Sequence, residues 1–328
     1  MNPGQTASSI TAMRVSHLLA LLMVLLGFSS KAHPGSGIAV DERGRVFFTT
    51  GPMIVMIETN GMARTIIHDQ THEKFYQLHH IQRAPDGGLL TASDMGNGIW
   101  RFTPEGKLSR FYPPENDMRA LAVGVGGDPF AVDRAGNLYA VNSVQDRFTQ
   151  LLKISPEGRI SVLAGGDWGF ADGKGVAAKF GDLHSGSMVV ASDGALLLTD
   201  DSARVRRVSA EGVVSTLAGG GERGYRDGRG GDALFDGASG LALDVQDNLL
   251  VVERAGRLRT ITPDGMVTTL AGALPARGNG GTARGAAFDE PTGIALAPSG
   301  DLFLLEPHRP RVLRISNGRV TTVHEGLP

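Results

Sequence analysis

The 328-residue sequence contains no cysteine. A disulfide framework, a thiolate zinc site and a cysteine nucleophile are thereby excluded, so buried apolar surface and closure of the fold must hold the chain together. Charge of one sign is also lacking: 32 Lys and Arg against 34 Asp and Glu give a formal net charge of −2. Scattered basic residues without a patch exclude the electrostatic footprint of a nucleic-acid or anionic-lipid binder. Helical periodicity of useful length is absent after residue 32, which excludes a helix-dominated domain. The Gly-rich runs lead into strand-like segments, so no phosphate loop opens a helix, and no Gly-x-Ser-x-Gly elbow is followed by an acid and a His in usable order. One apolar run stands out, Leu18–Leu26, preceded by Arg14 and followed by Ser30-Lys31-Ala32. It is shorter than the roughly 20 residues of a membrane span, and small residues sit at the positions a signal peptidase reads. Residues 1–32 are therefore read as a secretory signal peptide, with an uncleaved N-terminal anchor as the alternative. The remainder is expected to be secreted or periplasmic, monomeric and not membrane-spanning.

What the chain does have is repetition. Leu163-Ala164-Gly165, Leu217-Ala218-Gly219 and Leu270-Ala271-Gly272 close three β-branched runs. A period of about 50 residues filled with short strand-like runs is the mark of a propeller or another repeat array. Each copy begins a β-run after a Gly- or Asp-containing turn, at Val46, Leu89, Leu138, Leu196, Leu249 and Leu302. A second turn follows at Gly61, Gly106, Gly158, Gly212, Gly265 and Gly318, with gaps of 15, 17, 20, 16, 16 and 16 residues. In the fifth copy, turn chemistry separates four strands, Gly240–Leu243, Asn248–Glu253, Leu258–Thr262 and Met266–Leu270. Six four-stranded antiparallel sheets, each too small to stand alone, predict an all-β, six-bladed β-propeller over residues 33–328. The repeats fall near 37–67, 79–112, 128–164, 186–218, 239–271 and 292–324. A row of hairpins or a pair of sandwiches is the competing architecture, and neither accounts for the constant gap. Because the first copy opens on an innermost strand and the sixth ends on an outermost one, the ring should close by packing blade against blade.

These residues resemble the NHL repeat, whose blades end in a Thr-Leu-Ala-Gly strand and carry a Gly-Asp-Gly loop before the next blade. Asp172-Gly173 with Phe180, and Asp227-Gly228 with Phe235, match that loop; the third copy keeps Gly281 and Phe288 but has Gly280 for the Asp. The phenylalanines are expected to staple the loops between blades. The resemblance also implies an acid at the end of each second strand, followed by a basic residue. The equivalent positions here are Thr50, Ser93, Asn142, Asp200, Glu253 and Glu306. Asp200, Glu253 and Glu306 are either turn-stabilising partners of nearby arginines or oxygen ligands for calcium or another divalent cation, which takes about six to eight oxygens. Trp168 and Tyr225, in corresponding inter-blade loops, are candidates for stacking on a ligand, and His184 and His308 for a place on the same rim. His68, His72, His79 and His80 cluster before the second blade without a recognised metal motif. The resemblance implies a scaffold that binds a protein, peptide or glycan. A more distant resemblance to the gluconolactonase/regucalcin propellers and the streptogramin lyases implies the alternative, a metal-dependent enzyme using rim carboxylates and His. The gluconolactonase acid is missing at His33-Pro34-Gly35-Ser36, and the lyase His and Glu have only loose counterparts in His184, Glu253, Glu306 and His308.

Overall fold

The structure, a computed structural model, describes residues 37–69, 78–93, 98–112, 129–144, 147–183, 186–272, 281–282, 285–286, 288–308 and 311–326. The expected signal peptide, His72 and His184 lie outside them. The described residues form six antiparallel sheets, each meandering outward from a central channel. Blade 1 is Ile38–Val40, Val46–Thr50, Met53–Ile57 and Ala63–His68; blade 2 is Leu78–Arg83, Leu89–Ser93, Ile99–Phe102 and Leu108–Tyr112. Blade 3 is Ala131–Val132, Leu138–Val144, Phe148–Ile154 and Ile160–Asp167, and blade 4 is Met188–Val190, Leu196–Asp200, Arg204–Val208 and Val213–Ala218. Blade 5 is Ala238–Leu243, Leu249–Glu253, Arg257–Ile261 and Met266–Ala271, and blade 6 is Gly293–Leu296, Leu302–Glu306, Arg311–Ser316 and Arg319–Glu325. The six-bladed propeller and its four-stranded antiparallel blades are as the turn spacing predicts.

Apolar packing lies between the blades. Leu197, Val205 and Phe235 with Leu249 and Val251 join blades 4 and 5, and corresponding clusters join the other neighbours. The sixth cluster closes the ring: Ile38, Phe48 and Val55 of blade 1 meet Ala295, Phe303 and Val312 of blade 6, with no strand shared. Each second strand is sandwiched between two neighbouring blades, so it is buried on both faces and reads as a continuous apolar run; Leu196–Asp200 and Leu249–Glu253 are buried throughout. The outermost strands alternate buried and exposed residues, as in Val213–Ala218.

The Leu-Ala-Gly phrase has a local cause. At Ala218 the pairing with the third strand shifts register between Val205 and Arg206, so the strand bulges. Gly219 then runs against the opposite turn at φ +103°, where a β-carbon would stand 2.4 Å from the Ala203 carbonyl oxygen and 3.2 Å from Phe235 Cδ2. Only glycine fits there.

The sequence reading of four strands per blade omits one feature. Short strands at Gly173–Lys174, Gly228–Arg229 and Gly281–Thr282 pair with the outermost strands of blades 4, 5 and 6, making each of those sheets five-stranded. The loop from the preceding blade thus wraps the next blade's open edge and satisfies part of it, which removes a template for edge-to-edge association.

Candidate functional site

Asp200, Glu253 and Glu306 end the second strands of blades 4, 5 and 6, and all three are buried. Each is bound within its own blade. Asp200 Oδ2 accepts from Arg206 Nη1 at 3.2 Å, and Glu253 Oε1 from Arg259 Nη1 at 2.6 Å. Glu306 Oε2 accepts from Arg311 Nε at 2.6 Å and Nη2 at 2.5 Å. The remaining oxygens take the amides of Asp236 and Asp289 in blades 5 and 6, and the amide and hydroxyl of Ser202 in blade 4. Burial raises the Glu253 and Glu306 carboxyls above their ordinary value, opposed by these amides and guanidiniums. A calcium site needs carboxylate oxygens aimed at a shared point, whereas these are directed at arginines and amides of separate blades. Among the described residues no group of three His, Asp or Glu could hold a metal ion. The reading of these three acids as one cation site does not fit their geometry.

The Asp-Gly loops are built into the same networks. Arg206 Nη2 donates to Asp172 Oδ1 at 2.8 Å and to the Ala171 carbonyl, while Asp172 also accepts from the Thr216 amide and hydroxyl, each at 3.0 Å. Asp227 does the same in blade 5 with Arg259 at 2.6 Å and Thr269. Asp172 and Asp227 therefore hold the added edge strands begun by Gly173 and Gly228. Phe180, Phe235 and Phe288 are all buried between blades, each contributing about 1.5–3 kcal/mol relative to exposure.

Trp168 and Tyr225 lie in corresponding loops, as expected, but at different positions within them. Gly169 and Gly224 make the same amide bond, to the carbonyls of Phe180 and Phe235, each at 3.1 Å. That registration puts Phe170, not Trp168, opposite Tyr225, and Trp168 opposite Arg223. The chemistry agrees: Arg204 stacks on Phe170 at 3.6 Å and Arg257 on Tyr225 at 4.2 Å. Both rings cover the buried arginine networks, although Phe170, Tyr225 and Trp168 remain partly exposed. Counting two residues back from each Asp-Gly would have found Phe170.

The rim chemistry collects instead in a cleft of about 360 Å³ at the mouth of blades 4 and 5, walled on one side by the loop entering blade 6. Asp201 and Arg254 occupy equivalent turn positions there, one residue beyond Asp200 and Glu253. Asp201 Oδ1 accepts from the Asp182 amide at 2.9 Å. Burial raises its carboxyl above the ordinary value, with the carboxylates of Asp200 and Asp182 adding repulsion. Arg223, Asp236 and Glu290 complete the charged lining. Glu290 holds φ +47°, a conformation uncommon for a side chain of its size. Its Oε2 lies 3.0 Å from His308 Nε2, so His308 pairs with Glu290 and not with Glu306. A second cavity, about 340 Å³, is the central channel lined by the innermost strands. Sequence reasoning missed Arg223, Arg254, Asp236 and Glu290; for Arg254 the signal was its place next to Glu253, the acid that ends the second strand.

No family model and no curated protein sequence matches the chain. Its fold is shared with solved structures of low sequence identity. A structural-genomics protein of unknown function from Bacteroides thetaiotaomicron is 16% identical, over 90% of this chain and 71% of that one, with a TM-score of 0.67. A gluconolactonase from Xanthomonas campestris is 11% identical over 89% and 86%, with a TM-score of 0.58. Virginiamycin B lyase from Staphylococcus aureus is 18% identical over 89% and 85%, with a TM-score of 0.52. At such identities the likeness is one of fold, a six-bladed β-propeller.

Proposed function

We propose that this chain is an NHL-type binding propeller, working outside the cytoplasm, that takes a peptide segment of a partner at the mouth cleft of blades 4 and 5. One observation carries the reading: charged side chains of both signs face this cleft without being used by the fold. Among the described residues the guanidinium of Arg254, that of Arg223 and the carboxylate of Asp236 have no ion pair or side-chain hydrogen bond. The half-buried charges of Arg254 and Asp236 are costly unless a ligand completes them, and exposed Arg223 adds a cation beside them. A peptide offers charges and amides of both signs, whereas a neutral glycan would leave the charges unmatched. The test is a peptide-library screen on the purified chain, followed by hydrogen exchange on the best binder. Protection confined to residues 236–238 and 253–256 is expected; binders that protect only the opposite face would overturn the reading.

A second reading, a hydrolase or lyase, is favoured by the Glu290–His308 pair beside Asp201, since an acid–His pair at a cleft is suited to general acid–base catalysis. Turnover of a gluconolactone or a streptogramin B, with and without divalent cation, decides for it when His308→Ala abolishes that turnover. Export rests on the leader-like residues 1–32; intact mass of exported material retaining Met1–Ala32 would count against it.

A further inference from the structure

Arg254 differs from the buried arginines of blades 4 to 6. Buried Arg206, Arg257, Arg259 and Arg311 each meet a carboxylate, at 3.2, 3.8, 2.6 and 2.5 Å respectively. Arg254 meets none within ion-pair distance among the described residues, and its Nε, like those of Arg206 and Arg259, is shut off from solvent without an acceptor. Glu290, the nearby acid, spends its own Oε2 on His308. Instead of an acid, Arg254 has a second cation as neighbour: burial and the field of Arg223 both work against its charge, and Glu290 only partly offsets them.

Both arginines stand on backbone that is held in place. The Arg254 amide donates to the Gly237 carbonyl at 2.9 Å, and Gly237, at φ +77°, leaves room where a β-carbon would press on Arg254 Cβ at 3.3 Å. Arg223 bridges the backbone of Phe235, the ring buried between blades 4 and 5. Two guanidiniums on held backbone, neither within ion-pair distance of an acid among the described residues, can receive an oxyanion, because the planar fork of arginine matches two carboxylate oxygens at once. The same cleft is lined by Asp201, at the blade 4 position equivalent to Arg254, and by Asp236. A ligand seated on the arginines therefore presents its neighbouring N–H donors to acids.

We infer that Arg254 and Arg223 form an oxyanion site, and that the peptide bound at this mouth is anchored by a carboxylate, either an acidic side chain or a chain terminus, with its flanking amide facing Asp201 and Asp236. This rests on the binding reading above and specifies its ligand.

The test uses the full chain labelled with ¹⁵N and follows the Arg Nε–H resonances. The probes are disodium succinate, sodium phosphate, and the capped dipeptides acetyl-Ala-Asp-amide and acetyl-Ala-Asn-amide, with sodium chloride holding ionic strength constant. Succinate and the Asp peptide should shift the Arg254 Nε–H saturably, and the Asn peptide should not. Arg254→Gln should weaken the Asp peptide about tenfold or more, the scale of a lost charge-assisted pair. Arg223→Gln, at an exposed position that leaves the core untouched, should weaken it several-fold. Equal binding of the Asp and Asn peptides, or Arg223→Gln and Arg254→Gln binding like the wild type, overturns the inference. A response to phosphate alone overturns the carboxylate assignment. The two readings fail separately. A library peptide that protects the rim yet binds Arg254→Gln unchanged keeps the scaffold and removes the anion anchor. Succinate titrating Arg254 while no peptide protects the rim does the reverse.

Discussion

Arg206 and Arg259 occupy the same register of the third strand in blades 4 and 5, and each ties the acid ending its own second strand to the Asp of the loop that wraps its blade. Both side chains are fully buried. In blade 6 the corresponding position is Leu313, paired with Leu304, and the loop has Gly280 in place of the Asp. In these three blades the arginine and the loop aspartate are present together or absent together; the arginine is fully buried and needs acidic partners, while the aspartate stays about half exposed.

Breaking this network from one side should be severe. Arg259→Met leaves buried Glu253 with only the longer contact to Arg257 at 3.8 Å and is expected to cost about 3 kcal/mol. The double substitution Glu253→Gln, Arg259→Met should cost less than the sum of the two single changes, since the contacting residues are coupled. Denaturant unfolding of all three variants gives the coupling; additive losses would show that the pair is not acting as a unit.

Phe235 should behave as a core residue although it lies in a loop. Phe235→Ala is expected to destabilise the fold by about 3–5 kcal/mol. A loss below about 1 kcal/mol would mean that the loop does not staple blades 4 and 5.

Asp201 should make stability fall as pH rises. Its carboxyl is raised in the fold by burial and by Asp200 and Asp182, so the folded state holds the proton more tightly than the unfolded chain. Its contribution is present in full below the unfolded value near 3.9 and is lost as pH climbs through the folded value. Asp201→Asn keeps an oxygen for the Asp182 amide and removes the titration, so its melting temperature should vary less with pH just above 4 than that of the wild type. Identical pH profiles would sink the assignment.

Calcium should not move the melting temperature. Asp200, Glu253 and Glu306 already spend their oxygens on arginines and backbone amides, so no shared site gains by mass action. Melts in excess calcium and in excess chelator are expected to coincide; a rise that saturates with calcium would restore the cation reading.

The six-fold architecture was legible in the sequence because it rests on local chemistry. Turn residues at a constant gap, runs of apolar residues between them, and a Leu-Ala-Gly bulge recur wherever the backbone makes the same approach, so counting along the chain recovers the blades. The docking phenylalanines were legible for the same reason. In the inter-blade loops the sequence showed only that Trp168 and Tyr225 lie in corresponding loops; the bonds of Gly169 and Gly224 to the carbonyls of Phe180 and Phe235 put Phe170 at the position of Tyr225. The charged cleft is a tertiary product. Arg223, Arg254 and Glu290 are separated by about 30 residues or more and come from three successive connections around the ring. No period in the sequence marks them, since they sit at positions where the repeats diverge. Which acids are consumed by arginines and which arginine is left over is decided only when neighbouring blades pack, because burial and pairing depend on residues supplied by the next repeat.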